Sequence, residues 1–362
     1  MRLRKTPLAL GVLAAALLSS GAAYAVVTTA HTTRDSTPAS LSVASSSGPA
    51  IFLEADLNGR NEAYSRGMAA GDPRGSAVEI LRIKGNQLTF EITWQNMASP
   101  TAMHVMSGSS SSAGPVAIPL LSGALPGTIN TVEGMVTISN ARLLALLLTA
   151  PDRYYANLFN GEYPKGAVRG QFRKIGPVDF NRILHIGQFE AVGSGDQEAA
   201  GSGDLNAHTV TVVGVSGSSI NYATTWSGVN SPLAENINRG AVGANGDLIA
   251  NLFTAPRGLS PVIFAVAGTV GKVPAEVLAA MRSGAGNFHT NLLTARFPLG
   301  AARGQFFALM SATTTTMPTT TTKPTTTTTK PATPTTTMPS SSAAMAPPMT
   351  SGSIPTDPGN HW

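Results

Sequence analysis

The stretch "QLTFEITW", Gln87 to Trp94, decides the fold class. Leu88, Phe90, Ile92 and Trp94 alternate with Gln87, Thr89, Glu91 and Thr93, a period of two and not the 3.6 of a helix. A segment of this kind is a strand with one face in a core. "TVTVVGV" (Thr209–Val215) and "VIFAVA" (Val262–Ala267) are further short β-branched runs bounded by Gly, Ser and Pro. Two segments break the pattern with rows of helix formers, "SNARLLALLLTAP" from Ser139 and "VPAEVLAAMRSG" from Val273. Ser139 is read as an N-cap and Pro274 as a first-turn residue, with Pro151 and Gly284 just beyond the helix ends.

The same stretch opens an internal repeat. "ITWQNMASPTAMHVMSG" (Ile92–Gly108) aligns with "TTWSGVNSPLAENINRG" (Thr224–Gly240), matching Trp94 to Trp226 and Ser99-Pro100 to Ser231-Pro232. "AAG" at Ala69–Gly71 meets Ala199–Gly201, and "YYANLF" (Tyr154–Phe159) meets "HTNLL" (His289–Leu293) around Asn157 and Asn291. "KGAVRGQF" (Lys165–Phe172) returns as "LGAARGQF" (Leu299–Phe306). A period of about 130 residues is domain-sized and too long for a solenoid unit. The expectation is an all-β protein of two tandem β-sandwich-like domains, 50–175 and 178–310, each with one short helix before its last two strands.

The flanks have other compositions. Arg2, Arg4 and Lys5 precede an apolar stretch from Leu8 to Leu18 and the small-residue site Ala23-Tyr24-Ala25, which reads as a secretory signal over 1–25. A Ser/Thr-rich spacer covers 26–49, and a Thr/Pro-rich low-complexity tail covers 311–362. Thr and Pro at that density bury no apolar area, so the tail reads as a disordered stalk. No apolar helix follows it, so no transmembrane helix is expected in the mature chain. Of the formal charge of +5, the signal carries three and the tail one, which leaves about +1 on the body. No Lys/Arg cluster remains to bind nucleic acid. With no cysteine, thiol catalysis, zinc–thiolate sites and iron–sulfur ligation are excluded, and the fold has no disulfide to rest on.

Each half resembles the CHRD domain, a family that opens with Leu-x-Gly-x-x-Glu. Its centre is His-x-His-x-x-Gly, and it closes with Tyr-x-Asn-x-His and Gly-x-x-Arg-Gly-Gln. "LNGRNE" (Leu57–Glu62) matches the opening, and "YYANLFNGEYPKGAVRGQF" (Tyr154–Phe172) and "FHTNLLTARFPLGAARGQF" (Phe288–Phe306) match the close. Of the paired histidines the first half keeps His104, with Met106 at the second position, and the second half has Asn236 and Asn238. Phe159 and Leu293 stand where the last His is expected. The resemblance implies a secreted or envelope-associated protein with an extracellular protein or cell-envelope component as partner.

The chemistry-bearing residues are sparse. His104 with Met103 and Met106 is a weak candidate for copper or zinc, and a metal-binding or redox protein built on it is the alternative function. Strand alternation sets Met103 opposite His104, and His104 and Met106 are expected to share a face poorly. "GSGDQEAAGSGD" (Gly193–Asp204) lacks the alternating ligand order of a calcium hand. No G-x-S-x-G is present, and the acids Glu54, Asp56 and Glu62 show no pairing by spacing, so no enzyme, catalytic residue or cofactor is expected. A carbohydrate-binding module is a second alternative, disfavoured by only three Trp and six Tyr for stacking. In the closing string Val168, Gly170 and Phe172 face the core, and Arg169 and Gln171 face the other way. Arg169 with Gln171, and Arg303 with Gln305, are therefore read as structural clamps, each Arg forking onto a carboxylate or onto carbonyls of a neighbouring strand. Glu62 is the carboxylate candidate in the first half, and Glu190 or Glu198 in the second.

Overall fold

The computed structural model describes residues 48–62, 71–199 and 203–309. Residues 1–25, read above as a signal sequence, almost all of the 26–49 spacer, most of the first "AAG" and the tail over 311–362 lie outside the described residues. Nine strands and one helix form the first half: β1 (Ile51–Asn58), β2 (Ser76–Lys84), β3 (Gln87–Gln95), β4 (Ala102–Ser107), β5 (Val116–Ser122), β6 (Ile129–Thr137), α1 (Ala141–Thr149), β7 (Tyr154–Phe159), β8 (Val168–Gln171) and β9 (Arg173–Ile175). The second half repeats the plan with β10 (Phe189–Ser194), β11 (His208–Ser216), β12 (Ser219–Ser227), β13 (Ala234–Arg239), β14 (Leu248–Thr254), β15 (Ile263–Val270), α2 (Ala275–Ser283), β16 (Phe288–Leu293) and β17 (Ala302–Ala308). β17 is one strand where the first half has β8 and β9.

Pairing within each half is antiparallel throughout. In the first half it runs β5-β4-β7-β8-β1-β2-β3-β6, with β9 also on β1. The second half follows the same order, β14-β13-β16-β17-β10-β11-β12-β15. This is Greek-key ordering, in which β3 pairs with β2 on one side and β6 on the other, and the chain after β3 crosses to β4. The alternation read in β3 holds, since Leu88, Phe90, Ile92 and Trp94 are all in the core.

The halves join through β6 and β15, which pair antiparallel and make the sheet continuous from one repeat to the other. Both lie in one compact unit and share one apolar core. Matching contacts mark the join as a pseudo-two-fold. Met135 N donates to Val262 O at 2.9 Å, and Thr269 N donates to Thr128 O at 2.9 Å. Two glycines at equivalent places admit this approach. A Cβ on Gly268 would lie 1.8 Å from Thr128 O, and one on Gly134 would lie 2.3 Å from the Phe90 ring and 2.8 Å from Val262 O. Only hydrogen fits in that space.

Both expected helices form. The N-cap of α1 is Asn140 and not Ser139: Asn140 Oδ1 accepts from Leu143 N at 3.0 Å, as a cap one residue before the first helical turn must. Pro274 stands at the cap position of α2, one residue before the first turn, where its carbonyl accepts from Val277 N and Leu278 N. Gly284 closes that helix.

The interior holds an acid that the alternation of β2 places on its inward face. Glu79 shares the inward face of β2 with Ala77, Leu81 and Ile83, is 0% exposed, and has no hydrogen-bond partner on either oxygen. Burial pushes its carboxyl well above the usual carboxylate range. Thr211 occupies the equivalent place in the second half, where the interior carboxyl comes instead from Glu235 on β13, opposite in kind to Met103 on β4. Thr211 Oγ1 donates to Glu235 Oε1 at 2.5 Å and lies 2.9 Å from Thr224 Oγ1. An unpartnered buried carboxyl destabilises by about 1–3 kcal/mol. Glu79→Leu is therefore expected to raise the melting temperature measured calorimetrically, by on the order of 5 °C, and to raise it more at alkaline than at acid pH. A lower melting temperature at alkaline pH would show that Glu79 has a partner in solution.

Candidate functional site

The motif residues of each half meet on the outer face of the β4-β7-β8 sheet. Val168 and Phe172 enter the core, so Arg169 and Gln171 stand outward. Antiparallel register sets His104 beside Asn157, and Asn157 beside Arg169. The next row holds Met106, Tyr155 and Gln171. In the second half the rows are Asn236-Asn291-Arg303 and Asn238-His289-Gln305. Met103 and Val105 are in the core, which leaves His104 and Met106 together on the outer face. The expectation that these two would share a face poorly is corrected: residues two apart on a regular strand always point the same way.

Arg169 and Arg303 face outward yet are only 1% and 2% exposed. The loop after β4 folds over the first and the loop after β13 over the second. Arg169 Nη2 donates to Ser109 O and, at 3.0 Å, to Ser112 O. Its guanidinium lies 3.4 Å from the centre of the Tyr155 ring, and the Tyr155 hydroxyl accepts from Gly114 N at 3.1 Å in the same loop. Gln171 Nε2 donates to Gly108 O and Asp152 O, both at 2.6 Å. In the second half Arg303 Nη2 donates to Ala241 O at 2.7 Å, and Gln305 Nε2 to Gly240 O and Gly286 O at 2.8 Å. His289 takes the place of Tyr155, with Nδ1 3.2 Å from Arg303 Nη2. Burial and the adjacent guanidinium push the His289 imidazole down to about 4, so it is neutral and its Nδ1 can accept that bond. The carbonyls belong to loops, where a strand neighbour was the expectation.

The carboxylates sit behind the arginines without pairing to them. Among the described residues the ion pairs are Arg173 with Glu54 and Asp56, and Arg182 with Glu91. Glu62 is pushed up to about 7 by burial, against the pull of Arg169 and a hydrogen bond from Asn157. Glu198 is likewise raised to about 7 by burial, against the pull of Arg303. Glu190 lies instead between Val212 and Phe307 in the ladder. Gly166 and Gly300 make room for the two acids. Their φ values are 136° and 152°, and a Cβ would come within 2.6 Å of Glu62 Oε1 and 2.3 Å of Glu198 Oε1. The opening and closing motifs therefore touch, glycine against glutamate, in both halves. "GSGDQE" (Gly193–Glu198) is the second copy of "LNGRNE", missed in the sequence because only the Gly-x-x-Glu spacing survives. That spacing was the available signal.

Several acceptors in the first row are buried and without partners: Glu62 Oε1, His104 Nδ1 and Asn157 Oδ1. Burial lowers the His104 imidazole, so it is neutral, and its ring lies 5.6 Å from Phe159. In the second half Glu198 Oε1, Asn236 Oδ1 and Asn291 Oδ1 are likewise unpartnered. Among the described residues no three His, Cys, Asp or Glu side chains are grouped to hold a metal ion.

A Greek-key repeat whose closing-strand Arg and Gln hold a loop, and whose opening Glu packs on the closing Gly, defines the class. The CHRD domain family matches residues 53–172 and 189–306, well over half of the chain, and the chain belongs to that family in two tandem copies. No curated protein and no solved structure matches it.

Proposed function

We propose that this chain is an exported, non-enzymatic CHRD protein with a binding or envelope-structural role at or outside the cell surface. The observation that carries the reading is the use of the shared motif groups. Arg169 with Gln171, and Arg303 with Gln305, direct their donors onto the backbone of an overlying loop in each half. They act as clamps, and Glu62 and Glu198 complete the clamp as neutral or partly charged packing partners. Loops held to a rigid sheet are what recognition needs. The basic-apolar N-terminus and the Thr/Pro tail support export and display away from the cell. The partner is an extracellular protein or an envelope component.

The full exported chain, used as bait in envelope extracts, is expected to retain a component that a double variant of the loops, Ser110→Trp with Val242→Trp, fails to retain. Retention unaffected by those changes would overturn the binding reading of the loops. The unpartnered Nδ1 of His104 favours one second reading, a copper- or zinc-binding protein. Stoichiometric metal in the purified chain that is lost in His104→Ala would establish it and displace the first.

A further inference from the structure

The join between the repeats creates a groove that neither repeat has alone. Its floor is the outer face of β3 and β6 from the first half and β15 and β12 from the second, paired in that order. The linker crosses it as a 3-10 segment, Phe180–Ile186. Ile183 and Leu184 pack on Val212, Ala223 and Ala267, and Arg182 pairs with Glu91. Beside the linker opens a cavity of about 420 Å³ whose lining includes Glu91, Thr93, Asn130, Thr131, Arg182 and Asn221.

The polar groups there have capacity left over. Glu91 is 2% exposed, and Arg182 occupies one of its oxygens and leaves Oε2 without a partner. Directly opposite on β6, Glu133 is 4% exposed with Oε1 unpartnered. One row along, the hydroxyls of Thr93 and Thr131 lie 3.0 Å apart, and Asn221 Oδ1 accepts from Thr269 Oγ1 at 2.9 Å. Burial and the neighbouring acids Glu91 and Asp179 push Glu133 up to about 9, against the pull of Arg182, so Glu133 stands neutral near neutral pH beside the Glu91–Arg182 pair.

This lining selects among ligand classes. An apolar ligand would strand hydroxyls and amides, at about 1–3 kcal/mol for each polar group left dry. An anion would meet Glu91. A metal ion would meet the Arg182 guanidinium, and no third acidic or imidazole group converges there among the described residues. A hydroxyl both donates and accepts, so it can give its proton to Glu91 Oε2 and accept from Arg182 or an asparagine amide. A volume of about 420 Å³ holds about one or two sugar rings. We propose that the groove between the repeats binds a neutral polyhydroxylated ligand of the saccharide class. The Tyr222 ring points into the core, so recognition rests on hydrogen bonds without stacking, and millimolar affinity is expected. The site is separate from the loop clamps and stands if those loops bind nothing.

The full exported chain, isotope-labelled, would be titrated with glucose, galactose, N-acetylglucosamine, trehalose and myo-inositol and followed by amide chemical shifts. At least one is expected to give saturable shifts at Thr93, Asn130, Thr131 and Asn221. Asn130→Ala with Asn221→Ala is expected to weaken that ligand about tenfold with the melting temperature unchanged. No saturable shift from any of the five would overturn the proposal, as would shifts lying elsewhere or surviving the double variant. Shifts at the same amides from calcium chloride alone would overturn it in favour of a cation site.

Discussion

The chain is expected to melt at a higher temperature near pH 5.5 than near pH 8.5, by about 10 °C or more. Carboxyls dominate the reason. Glu62, Glu198 and Glu235 are raised to about 7, Glu133 to about 9, and Glu79, Glu91 and Glu190 are raised as well, in every case chiefly by burial. In the unfolded chain glutamates lose their protons near pH 4.3. Above that pH the unfolded state binds fewer protons than the folded state, so stability falls as pH rises. The loss runs from about pH 4.5 through 7 for Glu62, Glu198 and Glu235, and continues to about 9 for Glu133. Each unit of displacement withdraws about 1.4 kcal/mol. Two histidines act in the opposite sense. His289, lowered to about 4, and His104, also lowered, are neutral when folded and bind protons on unfolding below about pH 6.5, which takes stability away on the acid side. The maximum therefore falls between the two ranges, at about pH 5–6. Calorimetry across pH checks this, and a flat or rising melting temperature from about pH 5.5 to 8.5 would contradict it.

Arg169→Ala is expected to cost about 3–5 kcal/mol, the range for removing one member of a buried, hydrogen-bonded charge cluster. The substitution removes the bonds to Ser109 O and Ser112 O and the contact with the Tyr155 ring, and leaves Glu62 without its nearest cation. Arg169→Lys is expected to recover less than half of the loss, because an ammonium cannot lie flat on the ring and fork onto two carbonyls. Glu62 would rise further without Arg169, so the variant's stability should fall more steeply toward alkaline pH than the parent's. Urea unfolding measures the loss, and hydrogen exchange over Gly108–Gly114 reports whether the loop is released. An unchanged unfolding midpoint with full protection of that loop would remove the clamp. Arg303→Ala should behave similarly, with exchange rising around Gly240–Gly246.

Much of this is legible in the sequence. Alternation in "QLTFEITW" fixed a strand and its inward face, and the same alternation in "SAVEILRIK" (Ser76–Lys84) already put Glu79 among Ala77, Leu81 and Ile83. The outward stance of Arg169 and Gln171 followed from period two as well. The partners did not. Ser109, Ser112 and Ala241 are loop residues whose carbonyls carry no mark in the sequence, since every residue has one. Glu198 stood level with Glu190 as a candidate, because the second opening motif keeps only Gly and Glu and so could not single it out. Glu91 read as a solvent-facing residue, and it is buried only because the linker and the second repeat cover that face.

By itself, then, the sequence determined the duplication, the all-β class, the two helices and the faces of the strands, because these depend on local periodicity and backbone geometry. The tertiary structure alone decided which loop each arginine holds, and that β6 and β15 fuse two repeats into one sheet. It alone decided that several glutamates lose their solvent. Those outcomes depend on contacts between residues far apart in the chain, and burial, which sets both charge state and available partners, is a property of the assembled surface.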